Sequence, residues 1–164
     1  SNPNCVARNK FFEMLGKYKT VDSFGKYMRN MPADIIYVPE RVTEQDEYIK
    51  LLAQYKFMIT FENNSLAYYN TEKILNAFMA GTVPIYWGDP LIDSIYNPAC
   101  FIWIKTYESP IAQFAAFKTA IEQVKAADNS PDIYAQYFSQ PLMINPAQED
   151  KRLEQSVSDI LELL

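Results

Sequence analysis

The segment from Phe61 to Lys73 carries the side chains best suited to chemistry. It ends with the adjacent pair Glu72 and Lys73, and it also contains Asn63 and Tyr69. A carboxylate, an amide and a phenol can bind sugar hydroxyls, and an ammonium group can bind phosphate. Together these residue types predict a site for a small molecule that carries both hydroxyls and negative charge.

Lys73 is expected in the first turn of a helix that Asn70 or Thr71 caps. The positive end of the helix dipole disfavours a cation there by up to about 1 kcal/mol, so the placement makes sense if an anion joins it. Backbone N–H groups, the dipole and the ammonium group would then form a phosphate site without glycines. Alternatively, Lys73 pairs with Glu72 or points to solvent, and the spacing leaves both interpretations open.

The other polar residues of the segment also have two interpretations each. Glu72 either stabilises positive charge developing on an anomeric carbon or is an ordinary first-turn acid that favours the helix dipole. Asn63 either binds a base or a ribose or belongs to a turn. Tyr69, with its neighbour Tyr68, either stacks on a ligand or packs at the rim of the site.

Arg8 is a second candidate for an anion contact. It lies in an otherwise apolar helical stretch near an expected strand-to-helix turn, where a guanidinium group can hold a diphosphate through two hydrogen bonds. A lone Arg is also a common solvated surface charge. Between residues 81 and 90 we favour a structural role, in which Gly81 ends a helix and Asp89 opens a short one that runs to Tyr96.

Composition excludes several classes of site. The 164 residues contain no His, which removes His-based triads and His zinc ligands and leaves proton transfer to a carboxylate, Tyr or Lys. The four glycines are too far apart for a glycine-rich phosphate loop. A net charge of −5 argues against a nucleic-acid partner, and the two cysteines favour buried thiols in a reducing compartment.

Apolar periodicity places these residues on alternating strands and helices. Short apolar runs predict strands at 56–61, 83–87 and 101–104, and Val21 marks a weaker fourth. Helical spacing and caps predict helices at 6–15, 43–55, 71–80, 110–127, 131–139 and 146–164, with a loop at 30–40. This alternation predicts an α/β domain in which a parallel sheet lies between two helical layers.

We interpret residues 1–164 as one domain. A chain of this length buries enough surface to fold without disulfides or metal. Its first residues lead directly into a helix, although a βα unit begins with a strand, so we expect the chain to be a fragment of something longer.

Three runs of the sequence carry a family resemblance: YKFMITFEN at 55–63, YNTEK at 69–73 and GTVPIYWG at 81–88. They resemble the hallmark of the family 10 glycosyltransferases, the α-1,3/1,4-fucosyltransferases. The run VDSFG at 21–25 and the opening residues with Arg8 are also similar to family segments. The likeness extends from the start of the chain to about Phe101.

The resemblance implies a two-domain enzyme of the GT-B architecture. Its carboxyl-terminal, Rossmann-like half, the part expected here, would bind GDP-fucose, and fucose would be transferred with inversion. Arg8 and Lys73 would hold the pyrophosphate. Asn63, Tyr69 and Glu72 would contact the nucleotide sugar, and Glu72 would also stabilise the oxocarbenium-like transition state. No metal or cofactor is implied, because the two cations neutralise the leaving GDP.

The resemblance further implies that the general base lies in an amino-terminal acceptor domain. We therefore expect this chain to bind the donor for transfer to an N-acetylglucosamine-containing glycan and to be inactive alone. The alternatives are a non-catalytic nucleotide- or phosphosugar-binding module and an α/β interaction domain whose polar segment is a surface loop. Few cysteines and an acidic pI favour a bacterial cytoplasmic protein, with peripheral membrane contact only in the full-length enzyme.

Overall fold

The computed structural model describes residues 3–25, 27–32 and 42–144, without the side chains of residues 42–46. The helix predicted at 146–164 and residues 33–40 of the predicted loop lie outside this described part. None of the described helices combines the length and the hydropathy that a membrane span requires.

Helices and strands alternate along most of the described chain. The helices are α1 (Val6–Leu15), α2 (Val42–Leu52), α3 (Glu72–Met79), α4 (Pro110–Asn129) and α5 (Pro131–Gln136), and the strands are β1 (Phe57–Ile59), β2 (Val83–Tyr86) and β3 (Ile102–Trp103). Each of the three apolar runs contains a strand, and α1 has the predicted bounds. The strand predicted at Val21 is wrong, because β propensity produces a strand only where a partner strand lies beside it.

Caps explain where the helices begin and end. Gly81 has a left-handed φ of 67° just after α3, as predicted for the residue that ends this helix. Ser130 ends α4 and caps α5, with its Oγ accepting a hydrogen bond from the Ile133 N–H group. The short helix predicted from Asp89 is only a 3₁₀ turn at Ile92–Ser94.

The three strands form a parallel sheet in the order β1-β2-β3. The register pairs Phe57 with Val83 and Ile85 with Ile102. All four residues of β2 are buried, as expected for the central strand of a sheet covered on both faces.

Two apolar clusters cover the two faces of the sheet. On one face Val83 and Ile85 pack with Phe11 of α1 and Phe117 of α4. On the other face Tyr86 packs with Ile74 of α3, together with Ile92 and Phe101. Successive residues of β2 point to opposite faces, so this strand contributes to both clusters. The predicted layers, helix on sheet on helix, are therefore confirmed.

One carboxylate links three elements at the edge of the sheet. Asp128 of α4 accepts hydrogen bonds from Tyr18 Oη at 3.0 Å, Lys19 Nζ at 2.9 Å and Lys56 Nζ at 3.2 Å. These contacts hold the pKa of Asp128 at about 2, below its usual value, with the hydrogen bond from Lys19 as the largest cause. They connect the residues just after α1 and just before β1 to the end of α4.

Candidate functional site

The polar segment begins where β1 ends and finishes at the first turn of α3. Its start is fixed to the sheet, because Thr60 N donates to Ile85 O and Glu62 N donates to Trp87 O, both at 2.9 Å. Thr71 caps α3 in an extended conformation. The segment thus connects the carboxyl end of a parallel strand to a helix N-terminus, which is the edge where open α/β sheets bind ligands.

Glu62 is the centre of this segment, and the sequence did not single it out. It is fully buried. Its Oε1 accepts from the Thr71 backbone N–H group at 2.8 Å, and its Oε2 accepts from Lys73 Nζ at 2.9 Å. Lys73 therefore pairs most closely with Glu62, a partner that neither interpretation of the sequence included. It also lies 3.9 Å from Glu72, as one of them predicted.

The hydroxyl of Thr71 joins the two charged groups. Thr71 Oγ1 lies 2.9 Å from Glu62 Oε2 and 2.6 Å from Lys73 Nζ. A hydroxyl has one hydrogen and the carboxylate only accepts, so Thr71 donates to Glu62 and accepts from Lys73. Two of the three ammonium protons are thus used by described residues. The Lys73 side chain remains 25% exposed, which leaves its third proton available to a ligand.

Arg8 reaches the same segment from α1. Its Nη1 donates to Asn63 Oδ1 at 3.5 Å. The start of α1 is held nearby, because Cys5 Sγ donates to Glu62 O at 3.2 Å. Two of the predicted pyrophosphate and sugar contacts, Arg8 and Asn63, are therefore neighbours although 55 residues separate them.

A cleft of about 820 Å³ opens beside these groups. Arg8, Glu72 and Lys73 all contribute to its wall. The rest of the wall comes mainly from α1, α2, β1 and residues 18–25, with one or two residues each from α3, β2 and α4. Asn63 and Tyr69 are not part of the wall, so the structure brings three of the five predicted site residues to one cleft, places Asn63 beside Arg8 and leaves Tyr69 apart.

Glu72 and Tyr69 are both exposed. The Glu72 side chain is 68% exposed, so it is free to approach a ligand but holds nothing in place. Tyr69 is 37% exposed, and its backbone N–H donates to Leu66 O in a turn. The turn continues through Tyr68, whose φ is 63° and whose ring is exposed.

The residues that follow β2 contact the polar segment. Gly88 accepts a hydrogen bond from Ser65 Oγ at 2.6 Å through its carbonyl oxygen. Asp89 is buried; its N–H donates to Tyr86 Oη at 2.9 Å, and its Oδ1 accepts from Leu91 N at 2.9 Å. Burial is the main cause that raises the pKa of Tyr86. Gly88 and Asp89 thus contact the polar segment through Ser65 and Asn70 without lining the cleft, in agreement with the structural role favoured for residues 81–90.

Residues 20–25, one part of the cleft wall, are held by hydrogen bonds from two directions: Asn30 donates to Val21 O and accepts from Ser23 N, and Tyr55 donates to Asp22. Tyr55 Oη donates to Asp22 Oδ2 at 2.8 Å, and the Tyr55 ring meets Phe24 edge to face at 6.0 Å. Burial, followed by this hydrogen bond, raises the pKa of Tyr55 to about 12. Residues 20–25 are thereby held at the cleft even though they form no strand.

The balance of charge in the site is close to neutral without a ligand. Two cations, Arg8 and Lys73, are accompanied by two carboxylates, Glu62 and Glu72. The rest of the cleft wall adds two lysines and two aspartates: Lys19, Lys56, Asp22 and Asp128. Glu62 is buried and needs a partner, because an unpaired buried carboxylate is costly. Among the described residues no group of three or more His, Cys, Asp or Glu side chains converges as metal ligation would require.

A parallel sheet between helical layers, with a polar segment that leads from the carboxyl end of a strand into a helix, defines the class of Rossmann-like domains. The sequence profile described as "Glycosyltransferase family 10 (fucosyltransferase) C-term" matches residues 1–158. The chain belongs to this family.

Named relatives agree with the family profile. The α-(1,3)-fucosyltransferase FucT of Helicobacter pylori is 31% identical over 134 residues, which are 82% of this chain and 24% of the relative. The GDP-fucose protein O-fucosyltransferase 3 of Bos taurus is 29% identical over 133 residues, 80% of this chain and 26% of the relative. The chain thus spans about a quarter of the length of these relatives.

The fold agrees as well. A crystal structure of an α1,3-fucosyltransferase with GDP-fucose superposes with a TM-score of 0.68 at 29% identity, covering 85% of this chain and 36% of the other. The expected Rossmann-like fold of a GT-B glycosyltransferase is therefore confirmed.

Proposed function

We propose that this chain is the donor-binding domain of an inverting fucosyltransferase that uses GDP-fucose. The observation that carries the proposal is that Arg8 and Lys73 contribute to the wall of one cleft. Its volume, about 820 Å³, lies within the usual range for small-molecule sites. Family membership and the similarity to a structure that holds GDP-fucose support the choice of ligand.

The diphosphate of the donor binds between Arg8 and Lys73. Arg8 supplies a planar fork that suits two phosphate oxygens, and Lys73 supplies a point charge with one unused proton. As the bond from the sugar to the diphosphate breaks, negative charge grows on the leaving GDP. The two cations stabilise that charge, which is the role a metal ion performs in other phosphate chemistry, so the proposed reaction requires no metal or other cofactor.

Glu72 acts on the sugar side of the same bond. Its exposed carboxylate stabilises the positive charge that develops at the anomeric carbon, while Asn63 and Tyr69 contact the nucleotide sugar. The general base that removes the acceptor proton comes from an amino-terminal domain, and fucose moves with inversion. The isolated chain therefore binds donor without transferring fucose.

The acceptor is an N-acetylglucosamine-containing glycan, and the linkage formed is α-1,3. The Helicobacter pylori relative and the crystal structure, both named as α1,3-fucosyltransferases, support the linkage, whereas the bovine relative is named for a protein acceptor. The enzyme acts in a bacterial cytoplasm with peripheral contact to the membrane.

Calorimetry of the full chain tests the proposal. GDP-fucose and GDP-mannose should both release heat on binding, because the guanosine diphosphate portion is common to them. UDP-glucose should bind more weakly, and buffer should give no heat. If neither guanine nucleotide binds to a sample whose circular dichroism shows it to be folded, the proposed function is wrong.

A further inference from the structure

Glu62 is a charged group that the proposed chemistry does not use. It is fully buried, so it cannot contact a ligand in the cleft. Its two carboxylate oxygens instead receive the N–H group of the residue that caps α3 and the ammonium group in the first turn of α3. One side chain thus determines both where the helix begins and where Lys73 points.

Three contacts hold Glu62 itself in place. Its N–H donates to Trp87 O at 2.9 Å, and its carbonyl oxygen accepts from Cys5 Sγ at 3.2 Å. Gly88 packs directly against its side chain, since an added Cβ on Gly88 would come 2.6 Å from Glu62 Cγ and 2.8 Å from Glu62 Cβ. The carboxylate therefore has little freedom to move, because contacts with the residues that follow β2 fix its position.

A flexible lysine loses conformational freedom when it binds phosphate, and a carboxylate that already holds it reduces that loss. Glu62 and Thr71 accept two of the ammonium protons of Lys73. The third is then directed away from both acceptors, toward the exposed side of the group.

We propose that Glu62 is a positioning residue, which orients the ammonium group of Lys73 for a nucleoside diphosphate in the cleft. This inference rests on the proposed function of the cleft. The contribution of Lys73 to binding then depends on the Glu62 carboxylate, just beyond β1, and on the Thr71 hydroxyl between the two charged groups.

A double-mutant cycle on the full chain tests the inference, with GDP affinity measured by calorimetry. Glu62→Gln keeps the size of the side chain but removes its charge, and it should weaken GDP binding about tenfold. In the Lys73→Ala background the same change should alter affinity by less than about twofold, because the group it positions is absent. A general loss of structure would instead weaken binding equally in both backgrounds.

Two further variants make the result decisive. Thr71→Val removes the linking hydroxyl and suits the extended backbone at this position, so it should weaken GDP binding in the same direction and also depend on Lys73. It replaces Glu62→Gln in the cycle if that variant does not fold. Glu122→Gln, in the exposed pair of Glu122 with Lys125, is the matched control and should leave GDP affinity unchanged.

The outcomes separate the inference from the function on which it rests. If the unaltered chain does not bind GDP, the proposed function is wrong and the inference falls with it. If the chain binds GDP but Glu62→Gln and Thr71→Val leave affinity unchanged or raise it, only the positioning role is wrong. Equal losses in both Lys73 backgrounds would also overturn the positioning role.

Discussion

Gly88 and Glu62 lie so close together that a Cβ on Gly88 would come within 2.6 Å of Glu62 Cγ. Because both are buried, neither can move into open space. Gly88→Ala should therefore displace the Glu62 side chain and lower the free energy of unfolding by about 1 to 3 kcal/mol, the usual cost of overpacking. Urea denaturation of the variant and of the unaltered chain measures the difference.

Gly81→Ala is the matched control for that prediction. Gly81 has a left-handed φ, and nothing lies within 4 Å of an added Cβ, so its substitution should cost about 1 kcal/mol through backbone conformation alone. It should leave GDP binding intact, whereas Gly88→Ala should weaken it by moving Glu62. If Gly88→Ala has the same free energy of unfolding and the same GDP affinity as the unaltered chain, the packing of Gly88 against Glu62 does not restrict the side chain.

The relation between Gly88 and Glu62 also shows what the sequence could and could not predict. The strands and the end of α3 follow from local signals, such as apolar runs and Gly81. Glu62 was missed because a carboxylate is seldom buried, so a polar segment is naturally interpreted as surface. No local signal marks Glu62, because its place opposite Gly88 follows from the register of β1 with β2, which only the folded sheet shows.

The pairing of Lys73 lay beyond prediction for a different reason. Glu72 is adjacent in sequence, but it points outward, and the buried partner is 11 residues away in the chain. Only the turn at 63–71 brings the two together. The strand predicted at Val21 was wrong for the opposite reason. The residue type favours a strand, but no neighbouring strand lies beside Val21 to form the hydrogen bonds of a sheet.

Lys73→Ala should weaken GDP binding roughly tenfold to more than a hundredfold. The loss corresponds to about 1.5 to 3 kcal/mol, the range for a hydrogen bond to a charged group. Calorimetry measures the affinity, and its dependence on salt should also become weaker because one cation is lost. Lys118→Ala, which removes an exposed lysine outside the cleft wall, is the control. Equal GDP affinity in both variants would contradict the phosphate assignment.

Asp128 makes stability depend on acid pH. Its folded-state pKa of about 2 lies below its usual 3.8, so its contribution is present above pH 4 to 5 and is lost as pH falls toward 2. Because Lys19 and Lys56 are largely exposed, we expect a contribution of about 1 kcal/mol. Asp128→Asn should therefore destabilise the chain at pH 7 and make little difference near pH 2, as measured by denaturation across that range.

The control for the acid prediction is Asp93→Asn, which removes an exposed carboxylate. It should change stability little at any pH. If the difference between the unaltered chain and Asp128→Asn stays constant from pH 7 to pH 2, the pairing of Asp128 with the lysines does not stabilise the fold.

Tyr55→Phe should loosen the wall of the cleft formed by residues 20–25. The variant loses the hydrogen bond to Asp22 but keeps the ring contact with Phe24, so we expect a loss of about 1 kcal/mol in stability. Hydrogen exchange should increase at residues 20–25 and not in α4. Tyr107→Phe, at an exposed tyrosine, is the control, and equal exchange in the two variants would contradict the role of the Tyr55–Asp22 bond.

Glu72→Gln separates donor binding from transfer. The Glu72 side chain is exposed and holds no other element in place, so neutralising it should leave the fold intact. If the carboxylate stabilises the positive charge of the transition state, fucose transfer by the full-length enzyme should slow about 100-fold or more while GDP affinity changes less than about threefold. Kinetics with GDP-fucose and an N-acetylglucosamine-containing acceptor measure kcat, and calorimetry measures binding. An unchanged kcat would show that Glu72 is only a first-turn acid that favours the dipole of α3.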